Sequence, residues 1–141
     1  MKKPAFFVIL VLVLAAGVVK AQRLRAGEQA IFLKSGDEIV GNIKDISSTR
    51  LVLELADGTE IPLRDLWMIN FVNEEWNFPQ ERNLIETNEH YVFLKSGDVA
   101  SGRIVDMSSE QRVFEFETGE KFGIGQIRRI YFSRNVPRGL R

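Results

Sequence analysis

The chain offers few side chains from which a catalytic centre or a metal site could be built. It has one histidine, His90, and no cysteine among its 141 residues. A nucleophilic serine system would depend on His90 as its only base, and the usual Cys and His ligands of a zinc site are missing. His90 lies where a strand is predicted to begin, so we expect it at the surface. The sequence therefore predicts that the protein is not an enzyme and has no catalytic, cofactor-binding or metal-binding residue.

The most regularly placed carboxylates are Asp37 and Asp98, together with Asp45 and Asp106. Paired carboxylates can divide the roles of general acid and general base. However, Asp37 and Asp98 each follow a Ser-Gly pair, and aspartate beside glycine is typical of a turn. We therefore expect a structural role for these aspartates.

Asp37 and Asp98 end two copies of the hexapeptide Phe-Leu-Lys-Ser-Gly-Asp, which lie 61 residues apart. The offset holds without a gap from Phe32 and Phe93 to Phe71 and Phe132, and 16 of these 40 positions are identical. The chain is therefore a tandem repeat, and two copies of one small fold are expected.

Alternating apolar positions predict the strands of each repeat. In the first repeat, four breaks interrupt the alternation, at Ser35-Gly36-Asp37, Ser47-Ser48-Thr49, Asp57-Gly58 and Arg64-Asp65-Leu66. Five short strands without a helix between them are typical of a small antiparallel barrel. The predicted architecture is all-β, with one five-stranded barrel at residues 29–72 and a second at residues 91–133.

The two repeats differ most around their third and fourth predicted strands. Leu51 becomes Arg112 and Pro62 becomes Gly123 in the second repeat. This divergence predicts unequal roles for the two copies.

Residues 73–90 form an acidic linker that also contains aromatic residues. Pro79 could open a short helix that runs to about Thr87. Trp76 and Phe78 either hold the two repeats together or form an exposed platform for a partner, so they are candidate partner-binding residues.

The N-terminus has the pattern of a secretory signal peptide. Lys2 and Lys3 precede an apolar run from Ala5 to Val19, and Ala21 supplies a small residue at a cleavage site. The run would span about 22 Å as a helix, which is short of the hydrocarbon core of about 30 Å, so a retained membrane anchor is the weaker alternative. We therefore predict a signal peptide at residues 1–21 and a periplasmic or extracellular protein that packing alone holds together.

Charge is distributed unevenly along the exported part. Residues 22–90 carry 7 basic and 13 acidic side chains, whereas residues 91–141 carry 9 and 6. Residues 134–141 form a basic tail, and the candidate partner-binding arginines near this end are Arg128, Arg129, Arg134, Arg138 and Arg141. Such asymmetry is compatible with head-to-tail association, with an anionic partner, or with an ordinary solvated surface.

Each repeat has a leucine, two glycines and an isoleucine at the same spacing, at Leu33, Gly36, Gly41 and Ile43 and at Leu94, Gly97, Gly102 and Ile104. This spacing resembles the first motif of the Sm and Sm-like family, and the resemblance covers each repeat nearly end to end. It implies a five-stranded, SH3-like barrel whose second strand bends sharply at the later glycine.

The resemblance does not extend to the RNA-binding residues of that family. Their positions, an Asp and an Asn around a stacking residue, fall on Ser47, Thr49 and Leu51 and on Ser108, Glu110 or Gln111, and Arg112. The Arg-Gly of the second motif is replaced by Ile69-Asn70-Phe71 and Ile130-Tyr131-Phe132. Single-strand binding needs stacking rings beside a positive groove, and neither loop has a ring. The resemblance therefore implies the fold without the RNA function.

These observations predict a non-catalytic, exported binding or assembly module of the cell envelope, which binds a protein partner or a second copy of itself. One alternative is a ring-like homo-oligomer assembled through barrel edge strands. Another is a weak binder of nucleic acid or an anionic polymer through the C-terminal arginines. Membrane contact is expected only through a retained signal segment.

Overall fold

The computed structural model describes residues 24–73, 78–108 and 110–138, with the side chains of Phe78, Pro79 and Ser108 left out. The predicted signal peptide lies outside the described residues. The first repeat contains β1 (Gln29–Leu33), β2 (Glu38–Gly41), β3 (Ile43–Ile46), β4 (Val52–Leu55), β5 (Glu60–Pro62) and β6 (Leu66–Asn70). The second contains β7 (His90–Leu94), β8 (Val99–Gly102), β9 (Ile104–Ser108), β10 (Val113–Phe116), β11 (Lys121–Gly123) and β12 (Ile127–Tyr131).

Two kinds of short helical element complete the described structure. A 3₁₀ turn precedes the last strand of each repeat, at Leu63–Asp65 and at Ile124–Gln126. A helix, α1 (Phe78–Arg82), lies between the repeats and is shorter than the sequence suggested. The prediction of an all-β fold is confirmed. No helix in the described part of the chain is long and apolar enough to cross a membrane.

The strands form two open, six-stranded antiparallel sheets. Sheet A has the order β2-β1-β6-β12-β7-β8, and sheet B has the order β11-β10-β9-β3-β4-β5. Each sheet takes three strands from each repeat, so the predicted closed barrels are replaced by open sheets. The physical reason is that β6 pairs with β1 on one side and with β12 on the other, which leaves it no free edge to close a barrel.

The local sequence explains how the chain turns and changes sheet. In both repeats the Ser-Gly-Asp turn has its glycine at positive φ, 98° at Gly36 and 99° at Gly97, where a side chain would be strained. The aspartate of each turn accepts a hydrogen bond from the serine hydroxyl, at 3.0 Å and 3.2 Å. The expected structural role of Asp37 and Asp98 is therefore the one observed. The chain passes from sheet A to sheet B directly after Gly41 and directly after Gly102.

The two repeats are related by an approximate twofold axis. Where β6 pairs with β12, Ile69 lies opposite Ile130, and where β3 pairs with β9, Ile46 lies opposite Met107. Both pairs join residues that are 61 positions apart, so each residue meets its own counterpart. This is the geometry of an isologous dimer made within one chain. Each local environment therefore occurs twice, once in each repeat, with different side chains.

One apolar core lies between the sheets and is shared by the repeats. Its members include Ile31, Ile43, Leu53 and Ile69 from the first repeat and Val92, Ile104, Phe114 and Ile130 from the second. Phe71 and Phe114 meet edge to face across the repeats, with ring centroids 5.9 Å apart. Because a single repeat is too short to bury much apolar surface, sharing one core stabilises both.

A second apolar cluster covers the opposite face of sheet A. It consists of Leu24, Ala30, Phe32, Trp67, Met68, Ile85, Tyr91, Phe93, Tyr131 and Val136. Leu24 precedes the first repeat, Ile85 belongs to the linker and Val136 belongs to the basic tail. These segments therefore pack on the sheet, and the tail begins as part of the folded structure.

Candidate functional site: a cationic groove between the repeats

The predicted partner-binding residues do not form one surface in the described structure. Trp76 and Arg141 lie outside the described residues, and only the backbone of Phe78 is described, at the start of α1. Arg128 is half-buried in β12, whereas Arg134 and Arg138 are exposed on the tail. The Arg134 guanidinium donates a long hydrogen bond of 3.4 Å to the carbonyl of Glu86.

Arg129 is buried on the outer face of sheet A, where it is 1% exposed. Its Nε and Nη2 atoms donate to the carboxylate of Glu81 on α1, at 2.9 Å and 2.6 Å, and its Nη1 donates to Asn70 at 3.1 Å. The hydroxyl of Tyr131 donates to the same carboxylate, and burial together with the charge of Glu81 raises the pKa of that hydroxyl. Arg129 therefore has its partners within the chain, where it fastens the linker to the sheet.

A groove of about 950 Å³ lies between the two repeats. We call it groove 1. The first repeat contributes Lys34, Arg50, Leu51, Val52, Pro62, Leu63 and Arg64, and the linker and second repeat contribute Asn88, Glu89, His90, Gly102, Arg103, Ile104, Glu117 and Phe132. Groove 1 therefore exists only because the two repeats are joined.

The twofold axis places a second, smaller groove of about 300 Å³ on the other side, here called groove 2. It is lined by the counterparts of groove 1 residues, among them Lys95 for Lys34 and Gln29 for His90. Arg112 stands where groove 1 has Leu51, and its Nη1 donates to the carbonyl of Ile43 at 2.8 Å. The long guanidinium side chain crosses from one repeat to the other, so it occupies space that is open in groove 1.

The two grooves carry their positive charges at different positions. In the described part of the chain, the side chains of Lys34, Arg64 and Arg103 form no ion pair or hydrogen bond, whereas Arg50 pairs with Glu60 at 2.7 Å. In groove 2, Asn42 replaces Arg103 and Gly125 replaces Arg64. Arg64 and Arg103 therefore have no basic counterpart in the other repeat, although Arg25 and Lys95 line groove 2.

His90 is held in one orientation in the wall of groove 1. Its Nδ1 accepts a hydrogen bond from the backbone N–H of Ile104 at 2.9 Å, and its ring lies against Phe132 with centroids 4.8 Å apart. Burial, with the nearby charges of Arg103 and Lys34, lowers the pKa of His90 to about 4. The ring is therefore neutral at pH 7, and Nε2 carries the proton. His90 is thus more deeply placed than the surface histidine the sequence suggested.

The two grooves share an unusual backbone conformation. Leu51 has φ of 52° and Arg112 has φ of 58°, and these are the non-glycine residues with positive φ in the described structure. This region is unfavourable for a branched or bulky side chain, and such strain is often found at functional sites. Sequence reasoning noted that these two positions differ, but it missed their backbone conformation, because the side-chain types give no sign of a left-handed backbone.

Groove 1 offers positive charges and hydrogen-bond donors to a ligand. Its lining residues include no serine, threonine, cysteine or tyrosine. No group of three or more His, Cys, Asp or Glu in the described ranges is placed to hold a metal ion. The unpaired cations and the Nε2–H of His90 instead suit an anionic group.

Comparison with protein-family models, with curated proteins and with solved structures found no match.

The depressed pKa of His90 predicts how stability depends on pH. Because the folded pKa of about 4 is below the ordinary value of 6.5, the unfolded chain binds the proton first as the pH falls. The contribution of His90 is complete above pH 6.5 and is lost between pH 6.5 and about 4, by about 2 kcal/mol after allowance for partial exposure. His90→Gln should lose less stability over this range, because glutamine does not titrate. Gln29 shows that a glutamine can accept the equivalent bond, since it accepts from the backbone N–H of Ile43 at 3.0 Å.

Urea unfolding of the wild type and of His90→Gln, at pH 7 and near pH 4.5, measures this difference. All other titrating groups are common to both proteins, so their contributions cancel in the comparison. An identical loss of stability in the two proteins would contradict the assignment.

Proposed function

We propose that this chain is an exported, non-catalytic binding module that holds its ligand in groove 1. The observation that supports the proposal is the set of cations Lys34, Arg64 and Arg103, which are unpaired within the described residues and line a groove of about 950 Å³. Unpaired like charges repel one another, and a ligand of opposite charge would relieve that repulsion.

The proposal includes an Sm-like origin for each repeat. Each repeat has five strands if β2 and β3 are counted as one strand that bends after the glycine, which is the arrangement that the family resemblance implies. In this proposal, the pairing of β6 with β12 opened two ancestral barrels and joined them into one sandwich. Groove 1 arose at the new junction, away from the loops in which that family binds RNA.

The two alternative functions receive less support. A ring assembled through barrel edges would need the last strand of each repeat, but β6 and β12 are each paired on both sides within the chain. For binding of nucleic acid through the C-terminal arginines, Arg129 is already occupied, because its guanidinium pairs with Glu81.

Site-specific cross-linking in cells tests the proposed function. Glu89 lines groove 1 and its counterpart Glu28 lines groove 2, so each is replaced in turn by a photoreactive phenylalanine analogue. We expect a cross-linked species from position 89 and none from position 28, and we expect it in the exported fraction. No product at position 89, or equal products at both positions, would contradict the proposal.

A further inference from the structure

Two of the unpaired cations in groove 1 converge on His90 from opposite repeats. Lys34 follows β1, and its backbone N–H donates to the carbonyl of Asp65 at 2.8 Å, which holds it against the 3₁₀ turn. Arg103 lies where the chain crosses between the sheets, and its carbonyl accepts from the backbone N–H of Glu117 at 2.7 Å. Both side chains act electrostatically on the His90 ring. The backbone therefore fixes where these two side chains begin, and both line the same groove as the neutral His90 ring.

The backbone around this arrangement recurs in the first repeat with different side chains. The counterparts of Arg103 and His90 are Asn42 and Gln29, and the carbonyl of Asn42 accepts from the backbone N–H of Ala56 at 2.8 Å, as that of Arg103 accepts from Glu117. Gln29 supplies the structural hydrogen bond to Ile43 without a ring N–H that faces the groove. The cationic side chains of groove 1 are therefore additions to a framework that folds without them.

The surroundings of this cluster restrict what could neutralise it. Glu89 and Glu117 also line groove 1, but neither lies within ion-pair distance of Lys34 or Arg103. Beyond the cluster, the groove wall is apolar, formed by Leu51, Val52 and Leu63. A ligand that suits the whole groove has a compact anionic group at one end and an apolar or neutral part beyond it.

We propose that Lys34, Arg103 and His90 bind a dianionic oxyanion of the phosphate type, either free or as a phosphate ester on a larger ligand. The inference rests on the proposed function and names the chemistry of its ligand. One ammonium and one guanidinium balance two negative charges, and the guanidinium can bind two oxygens at once. The Nε2–H of His90 donates to a further oxygen, and an ester group would lie along the apolar wall.

His90 is the only histidine of the chain, so its imidazole resonances report on this site without ambiguity. The mature protein, residues 22–141, is titrated slightly above neutral pH with inorganic phosphate, phenyl phosphate or acetate, at an ionic strength held constant with chloride. We expect a saturable shift of the His90 resonances with both phosphates, and a higher pKa of His90 in their presence, because a nearby anion favours the charged imidazole. Tighter binding of phenyl phosphate would identify an ester as the preferred source of the oxyanion.

Matched variants locate the binding. Lys34→Ala and Arg103→Asn should each weaken phosphate binding by about tenfold or more, as expected for a lost charge-assisted hydrogen bond. Lys95→Ala, at the counterpart of Lys34 in groove 2, should leave the affinity unchanged. All three side chains are exposed or at a groove surface, and backbone spectra check that each variant is folded.

Three results would overturn the inference: no saturable shift beyond the chloride control, acetate binding as tight as phosphate binding, or equal effects of Lys34→Ala and Lys95→Ala. The two proposals fail in different ways. Cross-linking at position 89 without a phosphate response would reject the oxyanion chemistry alone. A phosphate response without cross-linking would reject the proposed cellular function alone.

Discussion

Replacement of Glu81 by alanine should lower the free energy of unfolding by about 3–5 kcal/mol, the range found when one partner of a buried ion pair is removed. Glu81 has a side chain 12% exposed and accepts from both Arg129 and Tyr131, while the Arg129 side chain is 2% exposed. Without the carboxylate, Arg129 would keep only neutral side-chain partners among the described residues, Asn70 and Tyr131. The large loss arises because a buried positive charge would be left without a counter-charge. Chemical denaturation at neutral pH measures it.

Two further variants separate this explanation from a general effect of losing a glutamate. Glu60→Ala removes an exposed ion pair with Arg50 and should have a much smaller effect, because water and salt screen that pair. The double variant Glu81→Ala with Arg129→Met should be more stable than Glu81→Ala alone, since the uncompensated charge is gone. If the double variant instead loses the sum of the free energies lost by the two single variants, the ion pair is not the source of the loss in Glu81→Ala.

The strands could be predicted from sequence because their signals are local. Alternation places Ile31 and Leu33 on one face, and the turn glycines Gly36 and Gly58 both adopt positive φ where the sequence put the breaks. The repeat doubled this information, since each turn was seen twice. The association of the two repeats could not be predicted in the same way. It depends on contacts such as Ile69 with Ile130, which are distant along the chain and involve residues that also suit an ordinary barrel core.

The candidate site escaped prediction for a related reason. Lys34, Arg64 and Arg103 each resemble a solvated surface charge when they are read one at a time, and their proximity depends on both repeats. A usable signal was present in the differences between the copies. The change from Leu51 to Arg112 distinguishes the open groove from the filled one, and the sequence had indicated unequal roles there. Comparing Arg103 with Asn42 and His90 with Gln29 in the same way would have found the cluster.

Arg129 was predicted to be an exposed partner-binding residue, but it is buried and paired within the chain. A cluster of arginines near the end of a chain is typical of an exposed basic surface, and Arg134 and Arg138 are exposed. The partner of Arg129, Glu81, lies 48 residues earlier in the linker, where it looked like one of several solvated acids. Burial of a charge can be recognised only when the element that covers it is known.

Substitution of Gly102 by valine should lower the free energy of unfolding by about 3 kcal/mol, whereas Gly41→Val should cost only about 1 kcal/mol. A Cβ atom at Gly102 would lie 2.7 Å from Cδ2 of Phe116 and 3.0 Å from two further atoms of that ring. At Gly41 the nearest atom is Cδ1 of Leu55 at 3.2 Å, the end of a flexible side chain. The ring is rigid and packed edge to face on Phe122, with centroids 5.0 Å apart, so it cannot move away as leucine can. Denaturant midpoints of the two variants measure the difference.

The pseudo-symmetry supplies its own test of this explanation, because the first repeat already contains the smaller neighbour. Phe116→Leu gives the second repeat the residue that Leu55 provides in the first, and it should reduce the cost of Gly102→Val towards that of Gly41→Val. The cost that disappears in the double variant is then the coupling between the two positions. The explanation would be contradicted if Gly41→Val and Gly102→Val lost equal free energies of unfolding, or if Gly102→Val showed no coupling with Phe116→Leu. Either result would show that the backbone requires glycine at these positions and that the Phe116 ring does not decide which side chains fit there.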